Sequence, residues 1–176
     1  MAYSVRNVKQ FRGREGHGFN ATLYRDNVKV ALVMDAANGG EYRFEWVDYH
    51  TLPKQDVVWA TYQGNLCTLR CTPEEAKLYE FIRGKTCEFP ISETEVHAMA
   101  IDPDIFVSEL VENYQNEKRF ARLCKTNTLI RLVGDKEGAW IKFPVPFTQS
   151  LKNLLVAKYG DQLEEIMNET RGQVAS

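Results

Sequence analysis

The chain has 176 residues, 44% of them hydrophobic and 26% charged, with a formal net charge of −2. That length suits one domain or a compact pair of subdomains, and it buries about 70% of the unfolded surface without a disulfide staple. The near-neutral balance excludes a global field drawing the whole molecule to nucleic acid or to an anionic membrane, so such binding has to come from a local patch.

The first fifty residues read as strands. SVRNVKQF opens the series, and in GFNATLYRD Phe19, Ala21 and Leu23 alternate with Asn20, Thr22 and Tyr24, the period of two of a half-buried strand. Asp26-Asn27 then turn the chain, since both tolerate left-handed backbone. VKVALVMD places Val28, Val30, Leu32 and Met34 on one side, and Gly39-Gly40 turns the chain into EYRFEW, where Tyr42, Phe44 and Trp46 point one way. The expectation is an antiparallel meander with one buried face. A phosphate-cradling loop leads into a helix, whereas Gly39-Gly40 and the earlier RGREGHG both lead into strands, so the first reads as a turn and the second as a flexible basic loop.

A second hairpin is expected in VVWATYQGNLCTLRC, turning at Gln63-Gly64-Asn65. The next segment, TPEEAKLYEFIRG, is a helix with Thr72 as N-cap, Pro73 at the first position and Glu75 closing a capping box. Its apolar face is Ala76, Tyr79 and Ile82, and Gly84 ends it. Residues 85–100 read as irregular and as the boundary between subdomains. A second helix starts at Asp102-Pro103-Asp104, with Val107, Leu110, Val111 and Tyr114 at helical spacing. TLIRLVGDKEGAWIKF reads as a hairpin turning between Gly134 and Gly138. Leu151, Leu154, Leu155 and Tyr159 mark a helix, and Leu163, Ile166 and Met167 mark a shorter one after Gly160. The class is α+β: an N-terminal β-meander, further hairpins, and three to four helices mainly in the C-terminal half. Residues 1–90 form a β-rich part with one helix and 101–170 a helix–hairpin–helix part, together one compact unit.

Chemistry-bearing residues are sparse. His17, His50 and His97 stand in no metal or catalytic motif and read as solvated or core-edge residues. Cys67-x-x-x-Cys71 has neither zinc-knuckle nor redox-pair spacing, and its strand parity makes both thiols core residues. His97, Asp102 and Asp104 are a candidate metal or acid–base cluster, but capping and the helix dipole already account for Asp102 and Asp104. No catalytic residue, metal ligand or cofactor is assigned. The polar start MAYSVRNVKQFRGREG lacks an apolar signal core, no apolar run reaches the roughly 20 residues that span a bilayer, and Cys67, Cys71, Cys87 and Cys124 follow no disulfide framework. The expectation is a cytoplasmic protein with free thiols and no membrane partner.

The least ordinary charge feature is Lys118, Arg119, Arg122, Lys125 and Arg131, with no acidic residue among them. Helix C-termini attract cations, yet five exceed what the dipole asks for, which makes a basic ridge a candidate surface. Tyr24 and Arg43, on the exposed side of the meander, form a second, since interfaces favour Tyr and Arg. Asp161, Glu164, Glu165 and Glu169 read as a solvated acidic face of the last helix.

The segments GFNATLYRDNVKVALVMDAANGGEYRFEW, TPEEAKLYEFIRG, DPDIFVSELVENY and LVAKYGDQLEEIMNE resemble those of small uncharacterised proteins common in bacteriophages and prophages, in the same order along most of the chain. The resemblance carries no catalytic residues. It implies an accessory protein made in a bacterial cytoplasm during infection. The leading expectation is therefore a non-enzymatic protein that binds a host protein, such as a CRISPR effector or another component of anti-phage defence. The alternatives are a nucleic-acid-binding protein using the ridge at 118–131, and a small hydrolase or nucleotide-binding enzyme whose site is assembled from distant residues. A homodimer through an exposed strand edge stays open.

Overall fold

A computed structural model describes residues 1–60, 65–90, 92, 96–136 and 138–170. The chain divides into two compact units, residues 1–114 and 115–176, and the α+β class holds across them.

In the first unit, β1 (Tyr3–Arg12), β2 (His17–Arg25), β3 (Val28–Asp35) and β4 (Arg43–Trp46) form an antiparallel meander in the order β1-β2-β3-β4. Asp26 and Asn27 turn β2 into β3 with φ of 47° and 66°. Two positive φ values at the centre of a two-residue loop match the right-handed twist of the strands, and Asp and Asn tolerate them best after glycine. The two glycine loops pack against each other: a Cβ on Gly13 would meet that of Ala37 at 2.5 Å, and one on Gly39, at φ 74°, would meet Glu15 Oε2 at 2.3 Å. The left-handed φ is what favours glycine at 39, since the Glu15 carboxylate is the movable end of a flexible side chain, and the chain beyond it returns to a strand.

The buried face of the meander carries Tyr3, Val5, Phe19, Ala21, Leu23, Val30, Val33 and Trp46. It packs with Leu78 and Ile82 of α1 (Pro73–Ile82) and with Phe106, Val107 and Val111 of α2 (Pro103–Cys124). Tyr3 lies 4.9 Å from Phe81 and 5.8 Å from Phe106, ring centre to ring centre. Arg25 ties β2 to α1 through two bonds to the Glu74 carboxylate, at 2.9 and 3.1 Å.

β3 departs from its expected phase. Leu23 pairs with Ala31 and Tyr24 with Lys29, so Val30 is an extra residue, a β-bulge. Val30 and Ala31 both turn to the core, Val33 follows, and Leu32 is left 41% exposed and Val28 61%. Strict alternation assigned Val28, Val30, Leu32 and Met34 to one face, and the bulge breaks that assignment between Val30 and Leu32.

β5 (Gln55–Ala60) and β6 (Leu66–Cys71) pair as the expected hairpin; of its expected turn, Gln63 and Gly64 lie outside the described residues. Val57 and Cys71 bury against Ala76 of α1. α1 begins as its sequence dictates: Thr72 Oγ1 accepts from the Glu75 amide at 3.2 Å, and Glu75 Oε2 accepts from the Thr72 amide at 3.1 Å. Residues 85–100, expected to be irregular, contain a hairpin of β7 (Thr86–Pro90) and β8 (Val96–Ala100). β8 exposes four of its five residues, so no period of two marks it in the sequence. The division between the two units falls inside α2.

The second unit has a three-stranded antiparallel sheet in the order β10-β9-β11, built from β9 (Thr128–Leu132), β10 (Ile141–Phe143) and β11 (Leu163–Ile166). Ile130, Ile166 and Leu155 of α3 (Gln149–Tyr159) form its core. The helix expected at Leu163–Met167 is a strand, followed by a single helical turn, α4 (Met167–Thr170). Leu163 pairs with Leu132 and Glu165 with Arg131, leaving Glu164 as a bulge. The bulge lets Leu163 and Ile166 share a face at a spacing of three, which imitates helical periodicity. Asn168, buried in α4, accepts from the Leu129 amide at 2.9 Å and donates to the carbonyls of Cys124 and Asn127 at 3.1 and 2.8 Å.

Candidate functional site

Of the five ridge cations, Lys118, Arg119, Arg122 and Lys125 lie exposed along the last part of α2 and just after it. Arg131 is held by two carboxylates. It lies on β9, bonded to Glu164 at 2.8 Å, 3.5 Å from Glu165, and 5.3 Å from the centre of the Trp140 ring. The acidic face of the sequence reading therefore includes two carboxylates that hold this arginine. On the outer side of the meander Tyr24 is half-buried beneath the Arg6 guanidinium, 4.5 Å away, and Arg43 is exposed and paired with Glu45 at 3.0 Å.

His17, His50 and His97 are all exposed, on β2, in the β4–β5 loop and on β8. Cys67 donates its thiol to the Trp59 carbonyl at 3.5 Å, whereas Cys71 is buried and its thiol is pushed up to about 11 by that burial. All four cysteines are free. Among the described residues no three His, Cys, Asp or Glu side chains gather around a metal-sized point.

What the fold does bring together is a cleft of about 720 Å³ in the first unit. One wall comes from β4 and the residues before it, with Glu41, Tyr42, Phe44 and Trp46. The β4–β5 loop adds Tyr49 and Lys54, and the β5–β6 hairpin adds Trp59 and Arg70. The starts of the two helices close it, α1 through Thr72, Glu75 and Tyr79, and α2 through Asp102, Pro103 and Asp104. The Phe44 and Trp46 rings stack nearly parallel, 5.5 Å apart at 10°, and Trp59 meets Tyr79 at 4.8 Å. Alternation along the strand puts Tyr42, Phe44 and Trp46 on one side.

The carboxylates are held in place by backbone. Asp104 Oδ2 accepts from the Tyr42 amide at 2.8 Å, which ties β4 to the start of α2, while Tyr42 Oη and Ser108 Oγ share a bond of 2.6 Å. Asp102 Oδ1 caps α2 through the Ile105 amide at 2.8 Å. Burial raises the Glu75 carboxyl above the ordinary glutamate range, against the Thr72 amide and Lys54, which lower it. Burial also raises Asp104, against the Tyr42 amide and with Asp102, Glu41 and Asp35 adding to the rise. The Tyr79 phenol is pushed well above its usual range by burial.

The lining offers stacking surfaces and fixed negative charge, and it includes no histidine, cysteine or serine. Aromatic walls with a few converging polar groups are the make-up shared by ligand-binding pockets and active sites. In the sequence Tyr42, Phe44 and Trp46 read together as one side of a strand, Asp102 and Glu75 as capping residues and Asp104 as a dipole charge. The available signal was the density of aromatics in Tyr42 to Tyr49, with Trp59 and Tyr79 beyond. Compared with known protein families, curated proteins and solved structures, the chain matches none. Among the described residues no helix is long and apolar enough to cross a membrane.

Proposed function

We propose that this chain is a non-enzymatic binding protein that occupies a partner protein, with the cleft of residues 1–114 as its recognition site. The observation that carries the reading is the aromatic lining, in which Tyr42, Phe44, Trp46, Trp59 and Tyr79 converge on one concavity with carboxylates among them. Tryptophan and tyrosine supply large, stiff contact area and dominate interface energetics where a pocket desolvates them. The segment resemblance supports a setting: an accessory protein made in a bacterial cytoplasm during phage infection, with a host protein such as a component of anti-phage defence as its target. A steric inhibitor of that kind buries about 800 Å² on its own side.

The test is a tagged pull-down from bacterial lysate, with and without nuclease, comparing the native chain with Trp59→Ala. One host protein retained in near-stoichiometric amount after nuclease, and lost with Trp59→Ala, supports the reading. Equal retention by both chains moves the recognition site off the cleft. A second reading, nucleic-acid binding, draws on the exposure of Lys118, Arg119 and Arg122 along α2 and of Lys125 just after it. It requires affinity that falls steeply with salt, and a further drop in Arg119→Ala/Arg122→Ala irrespective of base sequence.

A further inference from the structure

We infer that the cleft accepts a positively charged planar side chain, an arginine of a partner polypeptide, between its aromatic walls and its two backbone-anchored carboxylates. The inference rests on the reading of the cleft as a recognition site and names what that site selects.

Three features of the cleft converge on a cation. Its lining holds Glu41, Glu75, Asp102 and Asp104 against Lys54 and Arg70, an excess of two negative charges in an aromatic-walled space. Glu75 and Asp104 each spend one oxygen on a backbone amide, Glu75 Oε2 on Thr72 and Asp104 Oδ2 on Tyr42. Their second oxygens have no hydrogen-bond donor among the described residues, so two fixed acceptors remain to be used. The stacked Phe44 and Trp46 rings and the Trp59–Tyr79 pair supply π-faces, and a cation over such a face is attracted to the ring's negative quadrupole. The protein already uses this contact inside the cleft: the Lys54 ammonium sits 4.8 Å from the centre of the Tyr49 ring and donates to the Tyr49 carbonyl.

Arginine fits better than lysine. A guanidinium is planar and weakly hydrated, stacks on aromatic faces, and presents several donors at once, enough to serve separate carboxylate oxygens. An ammonium is a compact, strongly hydrated point charge. Lys54 would then compete with the incoming group, because it brings a like charge to the same lining.

The measurement is a titration of the full chain carrying Trp140→Phe, so that Trp46 and Trp59 are the only tryptophans left to report. The probe is the blocked peptide acetyl-Gly-Arg-Gly-amide, compared with its citrulline and glutamate counterparts. Citrulline keeps the size and planarity of arginine and removes the charge. The expected result is a saturable fluorescence change with the arginine peptide and binding about tenfold weaker with citrulline, the scale of one desolvated cation–aromatic contact. The conservative pair Glu75→Gln/Asp104→Asn keeps acceptors for both anchoring amides and is expected to weaken the arginine peptide by a similar factor, with unchanged far-UV circular dichroism. Lys54→Met is expected to tighten it. Equal binding of citrulline and arginine, preference for glutamate, or no saturable response to any peptide overturns the inference. A partner retained in the pull-down without arginine preference leaves the recognition reading standing while this one falls. Arginine preference with no retained partner does the reverse.

Discussion

Asn168→Ala puts a number on the polar clasp of the second unit. The native amide accepts from the Leu129 N–H and donates to the Cys124 and Asn127 carbonyls, joining α4, the end of α2 and the start of β9. Each bond contributes about 1 kcal/mol net, and alanine leaves all three backbone partners without a replacement in a buried place, so the expected loss is about 3 kcal/mol. Amide hydrogen exchange read by mass spectrometry localises that loss. Protection of residues 128–132 is expected to fall about a hundredfold, at 1.4 kcal/mol per tenfold, with β2 and β3 in the first unit as internal reference. Asn168→Asp is a stricter probe. It retains an acceptor for Leu129 but sets a carboxylate oxygen against two carbonyls, so the loss is expected to be at least as large. Protection across 128–132 that stays within about threefold of the native chain, under 0.7 kcal/mol, refutes the assignment of a clasp to Asn168.

Tyr3→Phe removes a buried hydroxyl that has no hydrogen-bond partner among the described residues; denaturant unfolding is expected to show no loss of stability and a gain of up to about 1 kcal/mol. Leu32→Lys is expected to shift stability by no more than about 0.5 kcal/mol, while Val33→Lys costs about 3 kcal/mol or more, because the bulge at Val30 leaves Leu32 outward and Val33 inward; equal costs would remove the bulge from the account. Arg25, and after it Lys77, hold the Glu74 carboxyl below the ordinary glutamate range. A carboxyl lowered in the folded state contributes stability that is present above its unfolded pKa and is lost as pH falls through the folded one, so Glu74→Gln is expected to flatten the acid limb of a stability–pH profile. Arginine-peptide binding is expected to fade on acidification at a higher pH than ordinary carboxylates titrate. Glu75, facing Lys54 and Asp48, and Asp104, facing Asp102, Glu41 and Asp35, are raised and lose their charge early.

Much of the fold was legible because local rules decide it. The Asp26-Asn27 turn, the Thr72–Glu75 capping box and the Asp102 cap all appear where residue chemistry puts them. The misreadings have a common cause at two places. Val30 in β3 and Glu164 in β11 are inserted residues, and an inserted residue shifts the phase of a pattern whose period is two. At β3 the shift sends Leu32 outward, and at β11 it produces a helical spacing. The β7–β8 hairpin escaped for another reason, since exposure of most of β8 erases the alternation that identifies a strand. The cleft was illegible as a site because its parts lie between residues 41 and 104, and each has an adequate local explanation as a core aromatic or a helix cap. Only tertiary structure shows that these local explanations share a space.

The capping box has a consequence for how this wall of the cleft can change over generations. Thr72 and Glu75 start α1 and also line the cleft, so most mutations there change both properties at once. Most replacements of Glu75 fray the turn that positions it, which removes the helix start and the acid together. Glutamine keeps the acceptor for the Thr72 amide and deletes only the charge. A lineage can thus pass from an anionic wall to a neutral one in a single step with the scaffold intact, whereas reaching a cationic wall there means surrendering the cap first.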